Sequence, residues 1–196
     1  MGTGSLFPDH TTEPALPSGL HYAPCFLSDN EQRRLIAVID ANEWSLELKR
    51  RVQHYGYRYD YKARRIDPSM HLGPLPPFAA RIANELLTIP SFAQQPDQLI
   101  VNEYLPGQGI SAHVDCEPCF NNRVAIVSLG WPYEMEFQHL HTRVVAKMIL
   151  GVGSLLILAD EARYQWTHQI RARIQDRGIS RQRRVSLTFR RVLLSE

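Results

Sequence analysis

Leu99-Ile-Val-Asn-Glu-Tyr104, Pro106-Gly-Gln-Gly109 and Ile110-Ser-Ala-His-Val-Asp115 read as strand, turn and strand. The first run is apolar and β-branched, Pro and Gly supply the reversal, and the second run is short and extended. The same grammar continues downstream. Val124 to Leu129, Met135 to Gln138, Val144 to Leu150, Ser154 to Leu158, His168 to Ile170 and Val185 to Arg190 are further short apolar runs, with Gly, Pro or Asn in most gaps. About eight short strands at this spacing predict a double-layered β fold, a double-stranded β-helix or jelly roll, over residues 98–191.

Upstream the pattern changes. Ser28 with Glu31 three residues on is a capping box, and Leu35, Ile36, Val38 and Ile39 give the apolar side of the helix it opens. Phe78 to Leu87 is a second amphipathic segment, stopped before Pro90, and Pro68 to Pro77 is a proline-rich loop. Between the helices, Tyr55, Tyr57, Tyr59 and Tyr61 recur at period two, which predicts an extended ribbon over Val52 to Tyr61 with one tyrosine face. The expected fold is mainly β with flanking helices: a jelly-roll core preceded by two helices and a β-ribbon lid. Residues 1–19, rich in Gly, Pro, Thr and Ser, read as a flexible arm. Residues 20–196 read as one domain, with the helical and lid region at 20–97.

The chain has 196 residues, 44% of them hydrophobic, enough for one domain with a sizeable core. The net charge of +2 says little, but its distribution says more. Lys49 to Arg65 holds seven basic residues against one acid, and Arg163 to Arg191 holds nine arginines against one acid. Such blocks suit a polyanionic partner. A pair of solvated faces balanced by acids elsewhere accounts for the same counts. Cys25, Cys116 and Cys119 make no disulfide framework and are expected as free thiols. No secretory signal and no membrane-spanning run is read, so a cytoplasmic monomer (nuclear in a eukaryote) is the expectation.

His113 and Asp115 lie two apart on a predicted strand, so both side chains share a face. His168 comes from a late strand that a jelly roll brings opposite. Two histidines and a carboxylate on one face of an ion leave open positions and suit Fe(II) and O2 chemistry. His139 and His141, near Glu134 and Glu136, form a rival pair with no third partner in sequence. Cys116 and Cys119 would supply only half of a zinc site, which His139 or His141 could complete in space, and no second cysteine pair exists, so inert thiols are the expectation. Arg184 and Arg190, six apart on one strand, share a face opposite Val185, Leu187 and Phe189. Guanidinium forks bind carboxylates bidentately, as a dicarboxylate co-substrate requires.

Asn102-Glu-Tyr104, Pro106-Gly-Gln-Gly109, His113-Val-Asp115, Ser128-Leu-Gly130, Glu161-Ala-Arg-Tyr-Gln-Trp-Thr-His168 and Arg184 to Arg190 together resemble the AlkB family of Fe(II)- and 2-oxoglutarate-dependent dioxygenases, from about His21 to Arg191. Arg50-Arg-Val-Gln-His-Tyr-Gly-Tyr57 and Arg163 to His168 are most similar to its tRNA-modifying animal branch. The resemblance implies that His113, Asp115 and His168 bind iron, that Arg184 pairs with the distal carboxylate of 2-oxoglutarate, that Asn102 and Tyr104 hydrogen-bond this co-substrate and that Arg190 braces its chelating end. It implies oxidative dealkylation of N-alkylated bases in DNA or RNA. The alternatives are tRNA wobble-base hydroxylation and a protein hydroxylase or demethylase. On that implication Tyr55, Tyr57, Tyr59 and Tyr61 are candidate stacking surfaces, and Arg50, Arg51, Arg64 and Arg65 candidate phosphate contacts.

Overall fold

The computed structural model describes residues 15–89, 92 and 94–194; most of the predicted arm lies outside them. In chain order the elements are β1 (Leu20–Ala23), α1 (Asp29–Asp40), β2 (Val52–Tyr55), α2 (Pro77–Leu86), β3 (Gln98–Tyr104), β4 (Ile110–His113), β5 (Phe120–Leu129), β6 (Tyr133–His139), β7 (Val145–Leu150), β8 (Leu155–Ala159), α3 (Asp160–Tyr164), β9 (Trp166–Ile170), β10 (Gln175–Asp176), β11 (Ile179–Ser180) and β12 (Arg184–Val192).

The strands form a six-stranded sheet in the order β1-β8-β5-β12-β3-β2 and a four-stranded sheet in the order β4-β9-β6-β7, with β10 and β11 as a separate hairpin. All pairings are antiparallel. The two sheets face each other as the jelly-roll reading requires. Among the described residues no helix is long and apolar enough to cross a membrane.

Burial follows the period-two pattern. Val185, Leu187 and Phe189 of β12 point to one face of the large sheet and pack with Leu35 and Ile39 of α1 and Ile82 and Leu86 of α2. The opposite face, with Tyr104, Ile126 and Leu156, packs on Met135, Phe137, Leu150 and Ile170 of the small sheet. β5 and β8 are central and covered on both faces, which is why their sequences are apolar nearly without alternation. The capping box is present: Ser28 N donates to Glu31 Oε2 at 3.0 Å and Glu31 N to Ser28 Oγ at 3.4 Å.

Three expectations need correction. The tyrosine ribbon is not one strand, because β2 ends at Tyr55 and Gly56 takes a left-handed φ of 77°. A Cβ at Gly56 would sit 1.8 Å from Asp97 O, so only glycine passes there. Beyond it the chain folds into a hairpin-like flap held by the bridges Tyr57↔His71 and Asp60↔Arg65. Second, β4 stops at His113, leaving Asp115 beyond the strand. Third, Cys116 and Cys119 are not free thiols: they are joined as a disulfide, and only Cys25 is free. Both bridged sulfurs rest against Arg64 O, at 3.2 and 3.4 Å.

Candidate active site

His113 pairs directly with His168 across β4 and β9, and their ring centroids lie 4.3 Å apart. Asp115 closes the group, with Oδ2 3.7 Å from His168 Nε2. One ligand atom from each of the three residues lies within 4.8 Å of the others. No other group of three among the described residues has that geometry.

Each donor is prepared for a cation. His113 Nδ1 lies 2.8 Å from Ser111 O; a carbonyl can only accept, so Nδ1 donates there and Nε2 is the nitrogen left for a ligand. His168 is buried, and burial followed by the neighbouring His113 pushes its pKa down to about 3, so the ring is neutral at pH 7. Burial works against ionisation of Asp115, but the Arg190 guanidinium beside it, with Arg163 behind, holds the carboxyl well below the usual range. Arg190 Nη2 donates to Asp115 Oδ1 at 2.6 Å, and Oδ2 has no partner among the described residues. An ionised carboxylate oxygen without a hydrogen-bond partner, beside two imidazoles, fits a divalent ion.

The group opens into a cavity of about 490 Å³ between the sheets. Its wall includes Asn102, Tyr104, Ile126, Met135, Arg184 and Arg190. Arg184 is fully buried and stacks over the Tyr104 ring at 5.4 Å. Nη2 donates to Ser128 Oγ at 2.9 Å, while Nε and Nη1 have no partner among the described residues. No acid among the described residues pairs with it, and a buried cation in that condition is costly unless an anion completes it. A carboxylate reaching the cavity wall meets that demand bidentately. Period two explains the placement: Arg184, Ser186, Thr188 and Arg190 line the cavity while the intervening apolar residues face the helices.

The flap closes part of the cavity. Tyr59, Tyr61 and Arg64 line it, with Arg50 from the segment before β2. Tyr59 contacts Phe120 and meets Tyr61 edge to face, at 5.7 and 5.1 Å. Arg50 Nε donates to Asn102 Oδ1 at 2.9 Å. Other residues expected here are turned elsewhere. Tyr55 packs edge-on to Phe78 beside the helices, and Tyr57 packs on His71. Arg51 pairs with Glu103 and stacks on Trp44, away from the cavity. Arg65 is exposed, 3.9 Å from Asp67.

The second basic block is largely neutralised. Arg171 pairs with Glu136, Arg173 and Arg177 with Glu134, Arg181 with Asp176, and Arg183 with Asp40 and Glu103. Those pairings occupy Glu134 and Glu136, the acids nearest the rival pair His139 and His141. Two features had no signal in the sequence. His54 Nε2 lies 3.1 Å from Tyr61 Oη, fixing one cavity tyrosine from behind. Arg163, from α3, is buried behind Asp115.

The 2OG-Fe(II) oxygenase superfamily profile matches residues 19–190. The chain belongs to that superfamily, whose members use Fe(II), 2-oxoglutarate and O2. Several of its curated relatives carry AlkB-homologue names. It is 35% identical, over 89% of its own length and 58% of the relative's, to an Arabidopsis thaliana protein named "Alkylated DNA repair protein ALKBH8 homolog". It is 37% identical to the Xenopus tropicalis "tRNA (carboxymethyluridine(34)-5-O)-methyltransferase alkbh8", over 82% of this chain and 26% of that protein. The chain thus spans from about a quarter to a little over half of these relatives. The solved structure of OsALKBH1 shares the fold, with a TM-score of 0.68 at 19% identity, covering 91% of this chain and 99% of that one.

Proposed function

We propose that this enzyme removes N-alkyl groups from bases in DNA or RNA by oxidation. In this reading His113, Asp115 and His168 hold Fe(II), and Arg184 pairs with the distal carboxylate of 2-oxoglutarate. Asn102 and Tyr104 hydrogen-bond the co-substrate. When bound, metal and co-substrate supply oxidising power from O2, with 2-oxoglutarate ending as succinate and CO2. Arg190 keeps Asp115 ionised and turned inward. Hydroxylation of the carbon attached to nitrogen leaves a hemiaminal, whose C–N bond then breaks to give the unmodified base and an aldehyde, formaldehyde for an N-methyl group.

The observation that carries the substrate class is the shared cavity. Tyr59, Tyr61, Arg50 and Arg64 line the same space as the triad and Arg184. Aromatic faces suit a base taken out of its stack, and the cations suit its phosphates. The name of the Arabidopsis relative supports the same reading.

The test is anaerobic Fe(II) loading, then O2 and 2-oxoglutarate with a panel of N-methylated and etheno-adducted oligonucleotides. Formaldehyde, or for etheno adducts the matching dialdehyde, and the restored base are expected by mass spectrometry. The name of the Xenopus relative gives uridine 34 of tRNA as its target, and that substrate favours a second reading, hydroxylation of a tRNA wobble base. That reading predicts a retained hydroxyl on tRNA and no aldehyde. No conversion of any nucleic acid, with succinate still formed on a peptide, would replace both.

A further inference from the structure

We infer that Arg163 is a positioning residue for the Asp115 ligand: it clamps the loop bearing Asp115 to the segment that delivers His168. The inference rests on the triad being the metal site.

Asp115 has a placement problem that the two histidines do not share. His113 and His168 sit on strands whose ladder fixes their backbones. Asp115 lies past the end of β4, so no ladder holds it. Two side chains take over. Arg190 holds the carboxylate at Oδ1. Arg163 holds the backbone, with Nη1 donating to Asp115 O at 3.0 Å and Nη2 to Cys116 O at 3.3 Å. One planar fork across two successive carbonyls fixes the orientation of the chain as well as its position.

The origin of Arg163 gives the clamp its meaning. It sits in α3, five residues before His168. Trp166 Nε1 donates to Glu161 Oε1 at 3.2 Å and Gln165 N to Glu161 O at 2.8 Å, stitching α3 to the start of β9. The segment 160–168 therefore carries one ligand and grips the loop of another. The separation of His168 from Asp115 is set in part by a short piece of chain that touches both.

Packing alone does not call for arginine here. The side chain is 2% exposed, its Nε has no partner and no carboxylate pairs with it among the described residues. Burial disfavours its charge, with Asp115 the first group to offset that. An apolar side chain would fill the volume without that cost. The guanidinium is explained by what it holds.

Groups that orient metal ligands from behind typically change metal affinity 10–100-fold when removed. The experiment is calorimetric titration of the full chain with Ni(II), which binds imidazole sites more tightly than Fe(II) does. Arg163→Met should weaken Ni(II) binding about tenfold or more. In an Asp115→Ala background the same substitution should add nothing, because Arg163 acts through that ligand. Arg163→Lys keeps the cation but reaches one carbonyl, should show an intermediate loss, and serves where Arg163→Met does not fold. The Co(II) visible spectrum of the folded variant should shift as the carboxylate ligand loosens. Unchanged Ni(II) affinity in a folded Arg163 variant, or an equal loss in the Asp115→Ala background, overturns the clamp. Wild-type Ni(II) binding that survives His113→Ala with His168→Ala would instead fail the triad reading itself.

Discussion

Arg190 takes one half of the Asp115 carboxylate: Oδ1 receives the Arg190 Nη2 hydrogen bond at 2.6 Å, and Oδ2 has no hydrogen-bond partner among the described residues. Both residues lie between the sheets, and Arg190 also stacks over Phe120 at 4.7 Å. The arrangement keeps one oxygen for the protein and one for an ion. Arg190→Met should therefore do two things. It should cost roughly 3–5 kcal/mol of stability, the usual result of unpairing a buried charge. It should also raise the Asp115 pKa, since burial would be less opposed. The measurement is Ni(II) affinity between about pH 5 and 8. Wild type should vary little through the carboxylate, which stays ionised, whereas the variant should lose affinity progressively on acidification.

Arg184 has the opposite relation to its surroundings, a buried cation awaiting an anion. Arg184→Met should raise the apparent KM for 2-oxoglutarate tens- to hundredfold, the loss of about 2–3 kcal/mol of charge-assisted hydrogen bonding. Metal affinity should change far less. The same variant, assayed without co-substrate, should unfold at a temperature equal to or above wild type, because an uncompensated buried charge has been removed. A fall in 2-oxoglutarate affinity together with a marked loss of apo stability would mean that Arg184 serves the fold instead.

How far the chain could be read in advance depends on the range of the interaction. The strands were legible because alternation is local: β12 shows its apolar face at Val185, Leu187 and Phe189 and its cavity face at Arg184, Ser186, Thr188 and Arg190. The ligand spacing was legible for the same reason, although Asp115 lies beyond the strand. The tyrosine ribbon misled because the break at Gly56 is imposed by Asp97, distant in sequence. Charge counts misled because pairing is tertiary: Arg51 finds Glu103, and Arg183 finds Asp40. Nothing near Arg163 in the sequence announces that it holds Asp115.

His54 gives a pH dependence that is separate from the metal. Burial, partly offset by Glu47, pushes its pKa down to about 4, and it sits behind Tyr61, whose own pKa burial raises to about 12. Above pH 6.5 His54 is neutral in both folded and unfolded chains and has no effect. Below that the unfolded chain takes up a proton that the folded chain refuses until about pH 4, so stability falls as pH falls between the two values. The loss from this one group reaches up to about 3 kcal/mol. His54→Gln should flatten the denaturation midpoint over that window relative to wild type. An identical pH profile in the variant would show that His54 is protonated in the fold.

The flap makes the sharpest distinction among the basic residues. Arg50 and Arg64 line the cavity, while Arg51 is paired with Glu103 and stacked on Trp44. Neutralising Arg64 should weaken oligonucleotide binding and lower the salt slope by about 1, as each lost phosphate contact retains its counterions. Neutralising Arg51 should leave that slope unchanged and lower stability instead, since it strands part of Glu103. Tyr59 and Tyr61 follow the same division. Replacing either with Ala should cost about 1–3 kcal/mol of oligonucleotide binding, as expected for a lost stacking surface. Tyr55→Ala should destabilise the packing on Phe78 and spare binding. Uncoupled conversion of 2-oxoglutarate to succinate should persist in the folded Arg64 and Tyr59 variants, because the triad and Arg184 are untouched. If Arg51 rather than Arg64 set the salt slope, the flap would not be the face that meets nucleic acid, and the substrate would have to approach over the Glu103 side of the sheet.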